Sequence, residues 1–161
     1  MDENQSNRVA LVTGAARRIG AEITRQLHAK GLRVILHYNS SSTEAQALAD
    51  ELNQLRADSV KIIAYNLTQT ETFDKFITEV IQCWGRLDVL VNNASTFYPT
   101  PMAEISTAQW DDLLGVNVKA PLFLSKVCAI HLAKNKGCII NIVDIHAVSY
   151  THLTLPTNRE V

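Results

Sequence analysis

The sequence predicts an α/β fold: an open, doubly wound parallel sheet with strand order 3-2-1-4-5. Two observations carry that prediction. Five short apolar runs alternate with amphipathic helical stretches, the pattern of parallel strands joined by right-handed crossovers. The runs are also apolar almost throughout, as strands covered on both faces must be. In a sheet of that order the winding reverses between strands one and four, and ligands sit at their carboxyl ends.

Strand one is Val9-Ala10-Leu11-Val12, running into Thr13-Gly14-Ala15-Ala16-Arg17-Arg18-Ile19-Gly20. Gly14 allows a sharp turn and close backbone approach. Ile19, Ile23 and Leu27 recur every four residues, which places the apolar face of a helix near Ile19 to Lys30, with Gly31 as its C′ residue. Strand, glycine turn and helix start together aim free backbone N–H groups at an anion, so a dinucleotide phosphate is the ligand this turn implies. Strand two is Leu32 to His37. Ser41, or a neighbouring serine, pairs with Glu44 as a capping box for helix two, whose apolar face is Leu48, Leu52 and Leu55.

Strand three spans Val60 to Tyr65, and Thr68 with Glu71 forms a second capping-box pattern. Helix three follows with a core-facing stripe of Phe73, Phe76, Ile77, Val80, Ile81 and Trp84. Strand four is Leu87 to Val91. Ser106 and Gln109 open a longer helix to about Ala133, and Gly137 leads into strand five, Cys138 to Val143. Pro121 inside the long helix cannot donate to the carbonyl of Asn117, so a kink is expected there.

The chain has 161 residues, enough for one domain with its own core. A formal net charge of −1 gives no field for nucleic acid or an anionic membrane. No apolar run reads as long enough to span a bilayer. The first seven residues are polar and acidic, unlike a secretory signal, and the three cysteines lack metal-ligand spacing. A reducing, cytoplasmic setting is the expectation.

A lone glycine turn is weak evidence. Here it is joined by Asn92-Asn93-Ala94-Ser95 after strand four, Asn117 in the long helix, and Asn141-Ile142-Val143-Asp144 after strand five. In this order and spacing the chain resembles the short-chain dehydrogenase/reductase family over roughly residues 8–147, with the Rossmann fold that implies. Arg18, where most members carry glycine, and the run Ser95-Thr96-Phe97-Tyr98-Pro99 are similar to its pteridine reductase branch.

The resemblance implies an NADPH site and a pterin or folate substrate. The cofactor residues would be Thr13, Gly14, Arg17, Arg18, Ile19, Gly20, His37, Tyr38, Asn39, Ser40, Asn66, Leu67, Asn93, Ala94 and Ser95. No carboxylate stands at the end of strand two, where one would select NAD, and Arg17 lies nearby for a 2′-phosphate. Asn66 replaces the family's usual Asp, which predicts an altered adenine contact. Arg18, Ser95 and Phe97 would hold the pterin, Phe97 by stacking or simply as a lid. Asn117, through its carbonyl, and Asp144 are the implied catalytic residues. The parent protein would be a homo-oligomer. Rival readings are a 3-oxoacyl thioester reductase, against which Arg18 and Asp144 argue, and a non-catalytic NADP-binding protein.

The family's proton donor is the Tyr of Tyr-x-x-x-Lys, and this sequence contains no such motif. Residues 148–161 have no helical period and read like translated adaptor DNA. The sequence therefore predicts an incomplete NADP-binding domain at 1–147, lacking the family's last strands and helices, with an artefactual tail at 148–161. Strand five would then be a bare, aggregation-prone edge.

Overall fold

The computed structural model describes residues 7–143. Asp144 and the 148–161 segment lie outside the described residues. Five parallel strands form one sheet in the order β3-β2-β1-β4-β5, as the sequence predicts. They are β1 (Val9–Val12), β2 (Arg33–Tyr38), β3 (Val60–Ala64), β4 (Val89–Asn92) and β5 (Cys138–Asn141). The helices are α1 (Arg18–Ala29), α2 (Ser42–Leu55), α3 (Phe73–Trp84), α4 (Thr107–Leu114) and α5 (Ala120–Lys134).

Side chains alternate across the sheet, and the core divides accordingly. Val9 and Leu11 of β1, with Ile35 and Leu90, pack against α3 and α5 through Phe73, Phe76, Ile77, Val80, Leu124 and Cys128. Ala10 and Val12, with Val34, Leu36 and Val91, pack against the α1–α2 side through Ala21, Leu48 and Leu52. Burial of the Cys128 thiol pushes its pKa up to about 12, so it behaves as a small apolar side chain. β5 is an edge strand whose four residues are all exposed.

Several local expectations shift. The inner face of α1 is Gly20, Ala21, Thr24 and His28, while Ile19 is 62% exposed. Position 20 carries no side chain and lets the helix press onto the β1 turn, which rotates Ile19 outward. In α2 the inner residues are Ala45, Leu48, Ala49 and Leu52, and Leu55 is 76% exposed. Neither Ser41 nor Thr68 caps its helix. The Ser41 hydroxyl accepts from Arg17, and Thr68 donates to Asn66 while a 3-10 turn, Thr70–Thr72, leads into α3. The Ser106–Gln109 capping box forms in full.

The long helix expected around Pro121 is interrupted by a π-turn, Gly115–Lys119, between α4 and α5, with the Ala120 N–H reaching back to the Gly115 carbonyl and Pro121 in the first turn of α5. Such widened turns accompany functional sites. The whole stretch Thr107–Lys134 is 28 residues long, and an 18-residue window within it has a mean hydropathy of 1.5. A segment of bilayer-spanning length and apolarity therefore exists, contrary to the sequence reading. Its inner stripe, Ala120, Leu124, Cys128 and Leu132, is buried in this fold.

Candidate functional site

The carboxyl ends of β1, β2, β3 and β4 surround a cleft of about 790 Å³. It lies at the point where the strand order reverses, as expected for this sheet.

The turn after β1 forms its floor. Gly14 has φ of +62°, and a Cβ there would stand 2.9 Å from the Ala94 Cα, so the turn needs glycine for both conformation and space. Asn93 locks the turn from the other side: its Nδ2 donates to the carbonyls of Thr13 and Gly14 at 2.9 and 3.1 Å. The Thr13 hydroxyl accepts from the N–H groups of Asn93 and Ala94 at 2.9 and 3.0 Å. Thr13 itself is only 2% exposed and is not among the cleft-lining residues. Its expected place as a cofactor contact is corrected to that of a tie between the two turns.

The N–H of Gly14 is not free for an anion. It donates to His37 Nδ1 at 3.1 Å, and the Ala15 N–H donates to the His37 carbonyl at 2.9 Å. The anion-facing end is therefore the start of α1, where no side-chain cap and no acidic residue compete. Arg17, Arg18, Ile19 and Gly20 line the cleft there. Arg18 has φ of +51°, the left-handed region that favours glycine.

His37 is 1% exposed, with both ring nitrogens engaged. Both ring nitrogens are therefore spent inside the fold, although His37 still lines the cleft. Tyr38, Asn39 and Ser40 remain along the rim. Arg17 crosses from the turn to the start of α2, where Nε and Nη2 both donate to the Ser41 hydroxyl and Nε stands 3.4 Å from Glu44.

Asn66 and Leu67 close the β3 side. The Asn66 Oδ1 accepts from both the backbone and the hydroxyl of Thr68 at 3.0 and 2.8 Å. Its acceptor is spent locally and its amino group is the end left to present.

Asn93, Ala94, Ser95 and Thr96 line the β4 side. Asn92, one residue earlier, is buried and donates to Ser125 and to Asn141, tying β4 to α5 and β5. Phe97 is 89% exposed and does not line the cleft, so no stacking partner is preformed. A ring on an extended surface loop has nothing to pack on until a ligand or a neighbour supplies it. Asn117 also stands off the cleft. Its side chain clamps the loop, accepting from the Thr96 N–H at 3.1 Å and donating to the Thr96 carbonyl at 2.7 Å.

The cleft also includes Ala16, Ser41, Thr68, Asp112 and Val116, which sequence reasoning did not assign to it. Asp112 accepts from the Tyr98 hydroxyl at 3.0 Å. Partial burial and this carboxylate hold the Tyr98 phenol above its ordinary pKa. Nothing in the spacing from Tyr98 to Asp112 announces that contact. Among the described residues no group of three metal-ligating side chains occurs.

The comparisons agree with this architecture. The family description for short chain dehydrogenase matches residues 8–154. Pteridine reductase 1 of Leishmania tarentolae is 37% identical over 84% of this chain and 60% of its own length. A 3-oxoacyl-[acyl-carrier-protein] reductase of Staphylococcus epidermidis is 34% identical over 86% of this chain and 57% of its own. A metagenomic short-chain oxidoreductase solved in complex with NADP superposes with a TM-score of 0.83 at 35% identity, covering 92% of this chain and 67% of that one. The chain thus spans about 60% of the length of these curated relatives. Sheet order, glycine turn and family match converge on one conclusion: this chain belongs to the short-chain dehydrogenase family.

Proposed function

We propose that the protein carrying this chain is an NADPH-dependent reductase of pterins, of dihydrobiopterin or dihydrofolate type. Arg18 carries the reading. A left-handed non-glycine residue costs on the order of 1 kcal/mol, and strain of this kind is retained where a side chain has work to do. Its guanidinium belongs to a residue that lines the same cleft as Ser95. Similarity to the Leishmania enzyme supports the same substrate class.

The donor set fits the cofactor. The uncapped start of α1 suits a pyrophosphate, and Arg17 with Tyr38, Asn39 and Ser40 suits a 2′-phosphate. Asn66 and Leu67 would meet the adenine, and Asn93, Ala94 and Ser95 the riboses and nicotinamide. When bound, NADPH supplies the hydride. Arg18, Ser95 and Phe97 would hold the pterin, with Phe97 folding inward on binding. Pro121 has no N–H to offer the Asn117 carbonyl, which leaves that oxygen as the group proposed to hold a relay water. Asp144 would assist a proton donor that is not assigned to any described residue.

The alternative, a 3-oxoacyl thioester reductase, draws on the Staphylococcus relative. NADPH oxidation by the whole protein, with dihydrobiopterin against an acyl thioester, separates them. Arg18→Gly should relieve the strain and raise stability by about 1 kcal/mol, yet lower pterin turnover at least about tenfold. Thioester turnover without pterin turnover would sink the proposal.

A further inference from the structure

We infer that His37 is a positioning residue: its neutral ring sets the Gly14 turn against the ends of β2 and β3, and through that turn sets affinity for a dinucleotide phosphate. The inference rests on the dinucleotide reading above and names a residue whose ring nitrogens act through the turn rather than by bonding the phosphate.

The geometry admits one tautomer. The Gly14 N–H donates to Nδ1 at 3.1 Å, so Nδ1 carries no proton. Nε2 stands 3.0 Å from the Tyr65 carbonyl, which only accepts, so Nε2 carries the proton and donates. The same residue takes the next N–H of the turn, because Ala15 donates to the His37 carbonyl. Tyr65 is fixed in turn by its own N–H to the Tyr38 carbonyl at 2.9 Å. The ring is held edge-on to Phe76, with centroids 5.6 Å apart. One buried imidazole thus links the turn after β1, the end of β2 and the end of β3, the three segments that frame the phosphate and adenine sides of the cleft. With the N–H groups of Gly14 and Ala15 both spent, the turn is fixed in the one orientation that points the start of α1 at the cleft.

Two substitutions divide the roles of the two nitrogens. His37→Asn keeps an acceptor near Nδ1, and His37→Gln keeps a donor near Nε2. The readouts are ring nitrogen NMR of the parent chain, hydrogen exchange at the Gly14 amide, and NADP+ titration. The inference expects an unprotonated Nδ1 and a slowly exchanging Gly14 amide in the parent. His37→Gln should lose that protection and bind NADP+ about tenfold more weakly, the worth of one hydrogen bond. His37→Asn should rescue both. Equal behaviour of the two variants, a protonated Nδ1, or an unprotected Gly14 amide in the parent overturns the inference. A protected Gly14 amide in a parent that does not bind NADP+ leaves the His37–Gly14 bond supported and overturns the dinucleotide reading instead.

Discussion

Asn93 and Gly14 lie 79 residues apart in sequence and are joined by an N–H···O bond of 3.1 Å. That bond defines the space around Gly20. A methyl group there would stand 2.3 Å from the Gly14 carbonyl oxygen and 2.5 Å from the Asn93 Nδ2. Gly20→Ala should therefore cost roughly 1–3 kcal/mol or more, through overpacking against backbone that cannot yield. Asn93→Ala should cost about 1–3 kcal/mol by stranding the carbonyls of Thr13 and Gly14. The double variant should fall short of the sum, since the missing carboxamide is one of the three closest clashes. Chemical denaturation of the four proteins measures this, and strict additivity would contradict it.

Arg17 is held by Ser41 and Glu44. If Arg17 faces a 2′-phosphate, Glu44 competes for it. Exposed pairs of this kind are worth up to about 1 kcal/mol, so Glu44→Gln should tighten NADP+ binding about two- to fivefold. NAD+ binding should not change, and the gain should vanish at high salt. Parallel titrations of both dinucleotides check it; an equal gain for both would remove Glu44 from 2′-phosphate selection.

Asn117 holds the loop after β4 by a two-way clamp on Thr96. Asn117→Ala removes both bonds, and Asn117→Asp keeps only the acceptor. Hydrogen exchange over residues 93–100 should accelerate at least about tenfold in the alanine variant and by less in the aspartate variant. Unchanged exchange in both would show that the loop is held by other contacts.

Burial lowers the pKa of His37 to about 4 in the folded chain, although its bond to the Tyr65 carbonyl works the other way. An unfolded histidine titrates near its ordinary value of 6.5. Between these values the unfolded chain binds a proton that the folded chain refuses. Stability is therefore complete above the unfolded value and falls with pH down to the folded one, by about 3 kcal/mol in all. Below that the loss is constant. Urea midpoints for the parent and His37→Asn, compared near pH 7.5 and near pH 4.5, isolate this contribution from the carboxylates. Identical pH dependence in the two proteins would refute it.

Much of this arrangement is legible in sequence because it is local. Apolar runs that lack alternation mark strands covered on both faces, and each of the five expected strands lies within two residues of the observed one at either end. Ser106 with Gln109 caps α4 because nothing else reaches that hydroxyl. The same logic fails at Ser41, where Arg17 arrives from 24 residues away and takes the cap. It fails again at Ile19, where close approach at Gly20 rotates the helix.

Local periodicity and turn chemistry therefore determined the sheet, its order and the glycine turn. Only the tertiary structure decided which residues of that turn remain available. It consumed the N–H of Gly14 on a buried histidine, turned Thr13 and Asn93 into ties, and left the start of α1 as the anion-facing end. The physical reason is that buried donors and acceptors must be satisfied by whichever partner the fold brings within about 3 Å, and sequence distance does not limit that choice.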